Sequence, residues 1–200
     1  MTRSSRIRRL ALVLVAVTAA TATTPAFAHT GSIVGGFLGG ITHPLFGLDH
    51  VVAMVAVGLW GAFLGAPAIC VLPIVFPLVM AFGGALGILG VPLPAVEIGI
   101  ALSAIVLGVM VATSARPPLW IAAIIVGAFA IFHGHAHGAE LPAGADAAAF
   151  SLGFVIATGL LHLTGIAFGL VTRWPAGRIA VRSVGAAIAL VGVAFLTGMP

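Results

Sequence analysis

His43-Pro44-Leu45-Phe46-Gly47-Leu48-Asp49-His50, running on through Val51-Val52-Ala53-Met54 to Ala62, sets two imidazoles and a carboxylate at the mouth of an apolar run long enough to enter a bilayer. Ionisable side chains at membrane depth are costly and are kept mainly for a pathway or a bound ion. The rest of the chain reads as scaffold or partner for that triplet. Adjacent Asp49 and His50 cannot share one face of a regular helix, so both reach one ion only if the backbone is distorted nearby. Pro44 and Gly47 supply a reason for distortion, and broken helices are where membrane transporters bind ions. Met54, one turn beyond His50, offers a thioether but reads first as core packing. The bland alternative for the triplet is a hydrogen-bonded cap on a helix end.

Composition fixes the class around this stretch. Hydrophobic residues make up 62% of the chain and charged residues 6%, against about 25% charged in soluble domains. Such a chain cannot cover a water-facing surface, and its runs are continuously apolar, without the polar alternation of a β-barrel. The fold class is therefore all-α: a polytopic membrane bundle. The isoelectric point near 11.5 does not signal nucleic acid, because Arg3, Arg6, Arg8 and Arg9 crowd the first ten residues. Beyond them Arg116, Arg173, Arg178 and Arg182 balance Asp49, Glu97, Glu140 and Asp146. The leading arginines, the apolar Leu10 to Ala20 and the small-x-small Ala26-Phe27-Ala28 read as a secretory signal peptide over residues 1–28, with an uncleaved first helix as the alternative. Cleavage after Ala28 would leave His29 at the new terminus, offering an α-amine and an imidazole. The single cysteine, Cys70, excludes a disulfide framework and a thiolate cage.

Residues 29–200 then form one transmembrane domain. The Gly-rich segment 29–41 is shorter than the roughly 20 residues a crossing needs and reads as an interfacial or re-entrant approach. Apolar runs follow at about 47–65, 68–90, 95–114, 118–136, 147–171 and 179–198, giving six helices. With the mature N-terminus outside, all four remaining arginines fall at inner loops or just inside the next helix, as the positive-inside rule asks. The acids and imidazoles then gather in the outer half, with His162 the deepest. A three-plus-three split would give halves of opposite orientation, as in inverted-repeat transporters, although no residue match links the halves. Gly83/Gly87 and Gly165/Gly169 read as helix-packing pairs, and Pro73 and Pro77 as a bend in the second helix.

The second constellation is Phe132-His133-Gly134-His135-Ala136-His137-Gly138-Ala139-Glu140. If the helix persists, His133, His137 and Glu140 share one face at i, i+4 and i+7, and His135 points away. Imidazole with carboxylate and no thiolate suits Ni²⁺, Co²⁺, Zn²⁺ or Cu²⁺; a His-rich outer loop is the alternative. Glu97 stands as the one acid in its helix, open as ligand, proton carrier or structural partner. His162, with Thr158 one turn before it, reads either as an inner station or as a satisfied core histidine. The expected arrangement is a shared site, with the His43–His50 stretch as one half and the His133–Glu140 run as the other.

Both stretches resemble signatures of the HupE/UreJ family: His43 to His50 with Ala53-Met54, Val57-Gly58 and Trp60 the first, Phe132 to Glu140 the second. The signal peptide, the six-helix layout and the helix with Glu97 also fit, so the resemblance covers nearly the whole chain. The first signature is similar to the His-x₄-Asp-His element of the nickel/cobalt transporters, with one extra residue. The resemblance implies a nickel permease or accessory protein, with cobalt as the alternative metal, serving maturation of hydrogenase or urease. It carries His43, Asp49 and His50 over as metal-recognition residues, and His133, His137 and Glu140 as a second set. His29, His135 and His162 join as weaker candidates beside Glu97.

The leading expectation is uptake of a divalent metal from the outer side of a bacterial inner membrane, with the metal as substrate, no organic cofactor and no catalytic residue. Partners are the ion and the lipid bilayer, with no nucleic acid; homo-oligomerisation and an indirect link to hydrogenase or urease maturation proteins stay open. The competing readings are a metal-binding accessory or sensor without flux, and a membrane-embedded metal-dependent hydrolase.

Overall fold

A computed structural model describes residues 36–141 and 144–198, so the signal segment and His29 lie outside the described residues. Seven helices run in order: α1 Phe37–Phe46, α2 Leu48–Leu64, α3 Ala68–Ile88, α4 Val96–Thr113, α5 Leu119–Ala139, α6 Ala147–Gly169 with a 3₁₀ turn at Leu170–Arg173, and α7 Pro175–Leu196. Helices α3 to α7 are each long and apolar enough to cross a membrane, and the bent pair α1–α2 brings the number to six if it is counted as one span. The protein is thus an all-α, multi-pass membrane protein. Large apolar side chains such as Leu78, Ile124, Leu163 and Leu190 face outward, where lipid rather than water receives them.

The expected break is at Gly47, where α1 and α2 meet at 81°. Pro44 lies inside α1, and Gly47 adopts an extended conformation (φ −80°, ψ 105°) that no helix continues. The break leaves few orphan groups: the Gly47 N–H donates to the His43 carbonyl at 3.1 Å, and the Gly47 carbonyl accepts from Val51 N–H at 2.9 Å. One residue therefore closes one helix and opens the next. At about 1.5 Å per residue, α1 is too short to span, in keeping with a re-entrant approach. Two boundaries differ from expectation. Helix α5 runs on to Ala139, carrying the whole His133–His137 segment, and α7 starts at Pro175, a proline whose missing N–H costs nothing in the first turn.

Four helix pairs pack backbone to backbone: α3 with α5, α2 with α6, α4 with α7, and short α1 with α6. In lipid there is little hydrophobic drive between helices, so close contact through small residues holds them. A Cβ added at Gly83 or Gly87 would meet the carbonyl of Ile131 or His135, and one at Gly134 or Gly138 would meet that of Met80 or Gly84. Gly58 on α2 and Gly165 on α6 interlock in the same way, as do Gly108, Gly185 and Gly192 between α4 and α7. Exchanging the first three long helices for the last three maps α2–α6 onto α5–α3 and α4–α7 onto itself. The exchange is incomplete: among the described residues α2 also packs against α3 and α4, with no comparable packing of α5 against α6 or α7.

The arginines gather at one end of the bundle. Arg116 lies over the Phe63 ring at 4.6 Å, and Arg173 over Trp174 at 4.4 Å. Arg182 Nε donates to the Ala112 carbonyl at 2.7 Å, satisfying the end of α4. Buried Trp60 donates its indole N–H to Ala115 O at 3.0 Å. The histidines of α5 lie toward the opposite end.

Candidate metal centre

The bend at Gly47 and the end of α5 bring the two sequence stretches together. His43 approaches from α1, His50 from the first turn of α2 and His137 from the last turn of α5. One ligand nitrogen from each lies within 4.8 Å of the others. Metal–nitrogen bonds of about 2.0–2.1 Å place neighbouring donors roughly 3 Å apart, so modest side-chain rotation closes the group on an ion. The His137 ring stands 4.7 Å from that of His43 and 4.3 Å from that of His50. Phe154 packs on His137 at 4.3 Å and Phe150 lies 6.2 Å from His43, so α6 supplies an aromatic wall.

Hydrogen bonding fixes which nitrogens remain available. Asp49 Oδ1 lies 2.7 Å from His50 Nδ1. An ionised carboxylate only accepts, so Nδ1 carries the proton and Nε2 presents a lone pair, with no hydrogen-bond partner among the described residues. Carboxylates oriented in this way raise the basicity of a metal-binding imidazole. Asp49 sits in the first turn of α2, where free N–H groups and the helix dipole favour its negative charge. Gly47 bears on this site through space rather than φ: a Cβ would fall 2.9 Å from His50 Nδ1 and 3.0 Å from Asp49 Oδ1, so the bonded pair would have to shift.

His133 stands behind His50, ring centroids 5.0 Å apart. Ser103 Oγ donates to the Ile100 carbonyl at 2.6 Å, which uses its proton, so at 2.9 Å it accepts from His133 Nε2–H. His133 Nδ1 is then the free lone pair, buried and without a partner among the described residues, and neither ring nitrogen of buried His137 is hydrogen-bonded within them. The result is an apolar-walled cluster of imidazoles with one carboxylate behind it, a donor set that suits a borderline divalent ion.

A cavity of about 250 Å³ opens between α3, α5 and α6, lined by Pro77, Met80, Gly84, Phe150 and Phe154, with His137 on its wall.

The HupE / UreJ protein family matches residues 15–195 of the chain. The chain belongs to the HupE/UreJ family. Protein HupE of Rhizobium leguminosarum bv. viciae is 47% identical over 173 residues, covering 86% of this chain and 91% of that protein. No solved structure matches.

In this HupE/UreJ member the candidates read from the sequence fall into three groups. His43, His50, His133 and His137 converge, with Asp49 bonded to His50 instead of standing beside it. His162 is buried further along α6, at 1% exposure. Glu97, Glu140 and His135 stand apart from the three-imidazole group. Glu97 is the second residue of α4 and exposed, not well inside the helix, because α4 starts only at Val96. Glu140 is the exposed C-cap of α5, one residue past the helix, so the expected i, i+7 alignment with His133 stops short of it. His135 points away, as expected, and bonds the Val91 carbonyl at 2.7 Å. Asp146 caps α6, accepting from Ala148 and Ala149 N–H at 3.0 Å each.

Ser103 was not among the candidates. Its signal was faint: besides Glu97 and Thr113, it is the one polar side chain in α4. Phe76, whose ring lies 5.7 Å from His133, gave no signal at all within an apolar helix.

Proposed function

We propose that this protein carries a divalent transition metal, nickel first and cobalt second, inward across a bacterial inner membrane. His43, His50 and His137 would receive the ion, with His133 as the next donor and Asp49 holding His50 in its ligating tautomer. The observation that carries this reading is the convergence of three imidazoles within 4.8 Å across a helix break. The arginines cluster at the other end of the bundle, which by the positive-inside rule is cytoplasmic. The imidazoles then face outward, as does the mature N-terminus once residues 1–28 are removed. Glu97 and Glu140, exposed at helix ends, raise the local cation concentration at the rim, and His29 can join them after cleavage. Family membership supports a place in hydrogenase or urease maturation. The membrane potential supplies a driving force: at about 2.3 kcal/mol per charge per 100 mV, a divalent ion gains roughly 4.6 kcal/mol moving inward.

One observation favours a second reading. The apolar cavity reaching His137 resembles an access route for a lipid-soluble substrate to a metal hydrolase. Its described lining includes His137 and Ser151 but no carboxylate to serve as a base, so the non-enzymatic reading is preferred. A sensor without flux is the third.

The test is ⁶³Ni²⁺ influx into proteoliposomes under an inside-negative potassium diffusion potential. Saturable influx that collapses with the potential supports transport; stoichiometric binding with no influx identifies a sensor and overturns it. In the same preparation Asp49→Asn is expected to weaken nickel binding about 10–100-fold, the usual cost of losing a carboxylate behind a ligating histidine. Competition titration against a chromogenic chelator measures this, and unchanged affinity would remove Asp49 from the site.

A further inference from the structure

Beyond the imidazole cluster, α6 holds two buried polar side chains that the loading site does not use. His162 is 1% exposed, Thr158 is fully buried, and they are one turn apart on one helix face. Among the described residues neither His162 nitrogen nor the Thr158 hydroxyl has a hydrogen-bond partner. For the threonine this is anomalous. A helical threonine ordinarily returns its proton to a carbonyl one turn back, and Thr42, Thr113, Thr164 and Thr197 do so here, bonding Leu38, Val109, Leu160 and Val193. The Thr158 hydroxyl makes no such bond, one turn from an imidazole with two unused nitrogens.

Phe76 connects this pair to the outer cluster. Its ring lies 5.7 Å from His133 on one side and 5.4 Å, edge-on, from His162 on the other. Depth follows the same order. Measured from the helix ends nearest the outer cluster, at about 1.5 Å per residue, His133 lies about 9 Å in, Phe76 about 18 Å and His162 about 22 Å. A phenyl ring offers a cation its face but no donor atom, so it passes an ion without holding it.

We propose that His162 and Thr158 form a second, inner station for the same class of divalent cation, and that the Phe76 side chain is the partition between it and the outer imidazoles. This rests on the uptake reading above. Among the described residues no carboxylate is bonded to the inner pair as Asp49 is to His50. The pair therefore holds the ion more loosely than the outer site, as a release step requires.

Full-length protein in proteoliposomes tests this with nickel chloride as the probe, reading equilibrium affinity and maximal influx separately. His162→Ala is expected to lower maximal influx tenfold or more while outer-site affinity stays within twofold of the parent. Phe76→Ala is expected to raise influx at zero potential severalfold, because the partition is gone. If His162→Ala also loses outer binding, His162→Gln, which keeps size and polarity, decides on the same two readouts. A parent that transports alongside His162 variants with parental influx overturns the inner station and leaves the uptake reading standing. A parent that binds nickel without influx overturns the uptake reading itself, and the station with it.

Discussion

Replacing His50 or His137 by alanine is expected to cut nickel accumulation in cells at least tenfold, with membrane insertion and helix content unchanged. Each substitution removes one of three imidazoles that meet within 4.8 Å, and losing a ligand costs at least as much as losing its orienting partner, itself about 10–100-fold. His50→Ala carries an added penalty. Asp49, whose side chain is 20% exposed, loses its 2.7 Å hydrogen-bond donor. His135→Ala on the same helix is the control: its ring bonds the Val91 carbonyl away from the cluster, and accumulation should stay within twofold of the parent. Equal ⁶³Ni accumulation by the parent and His50→Ala cells would remove the cluster from the transport path.

The largest effect on stability is expected at Gly134. Its added Cβ would meet the Met80 carbonyl, with the Gly84 backbone nitrogen 2.9 Å away, and both are backbone atoms that no side-chain rotation clears. Overpacking costs about 1–3 kcal/mol where side chains can yield. Here α5 itself must move away from α3, so Gly134→Ala should cost about 3 kcal/mol or more and carry His133 and His137 out of register. Gly127→Ala, two turns earlier on α5, makes an instructive pair. Its Cβ would sit 3.7 Å from Val75 and Val79 side-chain carbons, an ordinary contact, and alanine is the better helix former by up to about 1 kcal/mol. Thermal unfolding in one detergent should place Gly127→Ala at or above the parent and Gly134→Ala well below it. If the two variants melt together, close backbone approach is not what holds α3 to α5.

Much of this architecture was legible because the bilayer imposes it. Span length follows from membrane thickness, so the six apolar runs emerged as helices within a few residues. The break at Gly47 was legible because Pro44 and a glycine interrupt a pattern that carries ionisable groups. The meeting of the two His stretches followed from parity: an odd number of crossings separates helix ends, an even number returns them to the same side. What was not legible depends on rotation about helix axes and on single-residue boundaries. Whether Asp49 faces an ion or its neighbour is decided by the His50 rotamer. Ser103 meets His133 across 30 residues of sequence, which no local spacing encodes. Glu97 and Glu140 changed standing because α4 begins one residue before the first and α5 ends one residue before the second. The glycine pairs announced close packing, but nothing in their spacing named the partner helix.

The bend at Gly47 has a consequence for how the imidazoles can be disturbed. His43 and His50 are only seven positions apart, yet they reach the same point from helices set at 81°. No translation of one rigid rod carries both donors together. If α1 swings about Gly47, His43 leaves while His50 and His137 stay with the long helices, and the group passes from tridentate to bidentate. The number of imidazoles facing an ion is therefore a gauge of a single angle, read out seven residues wide.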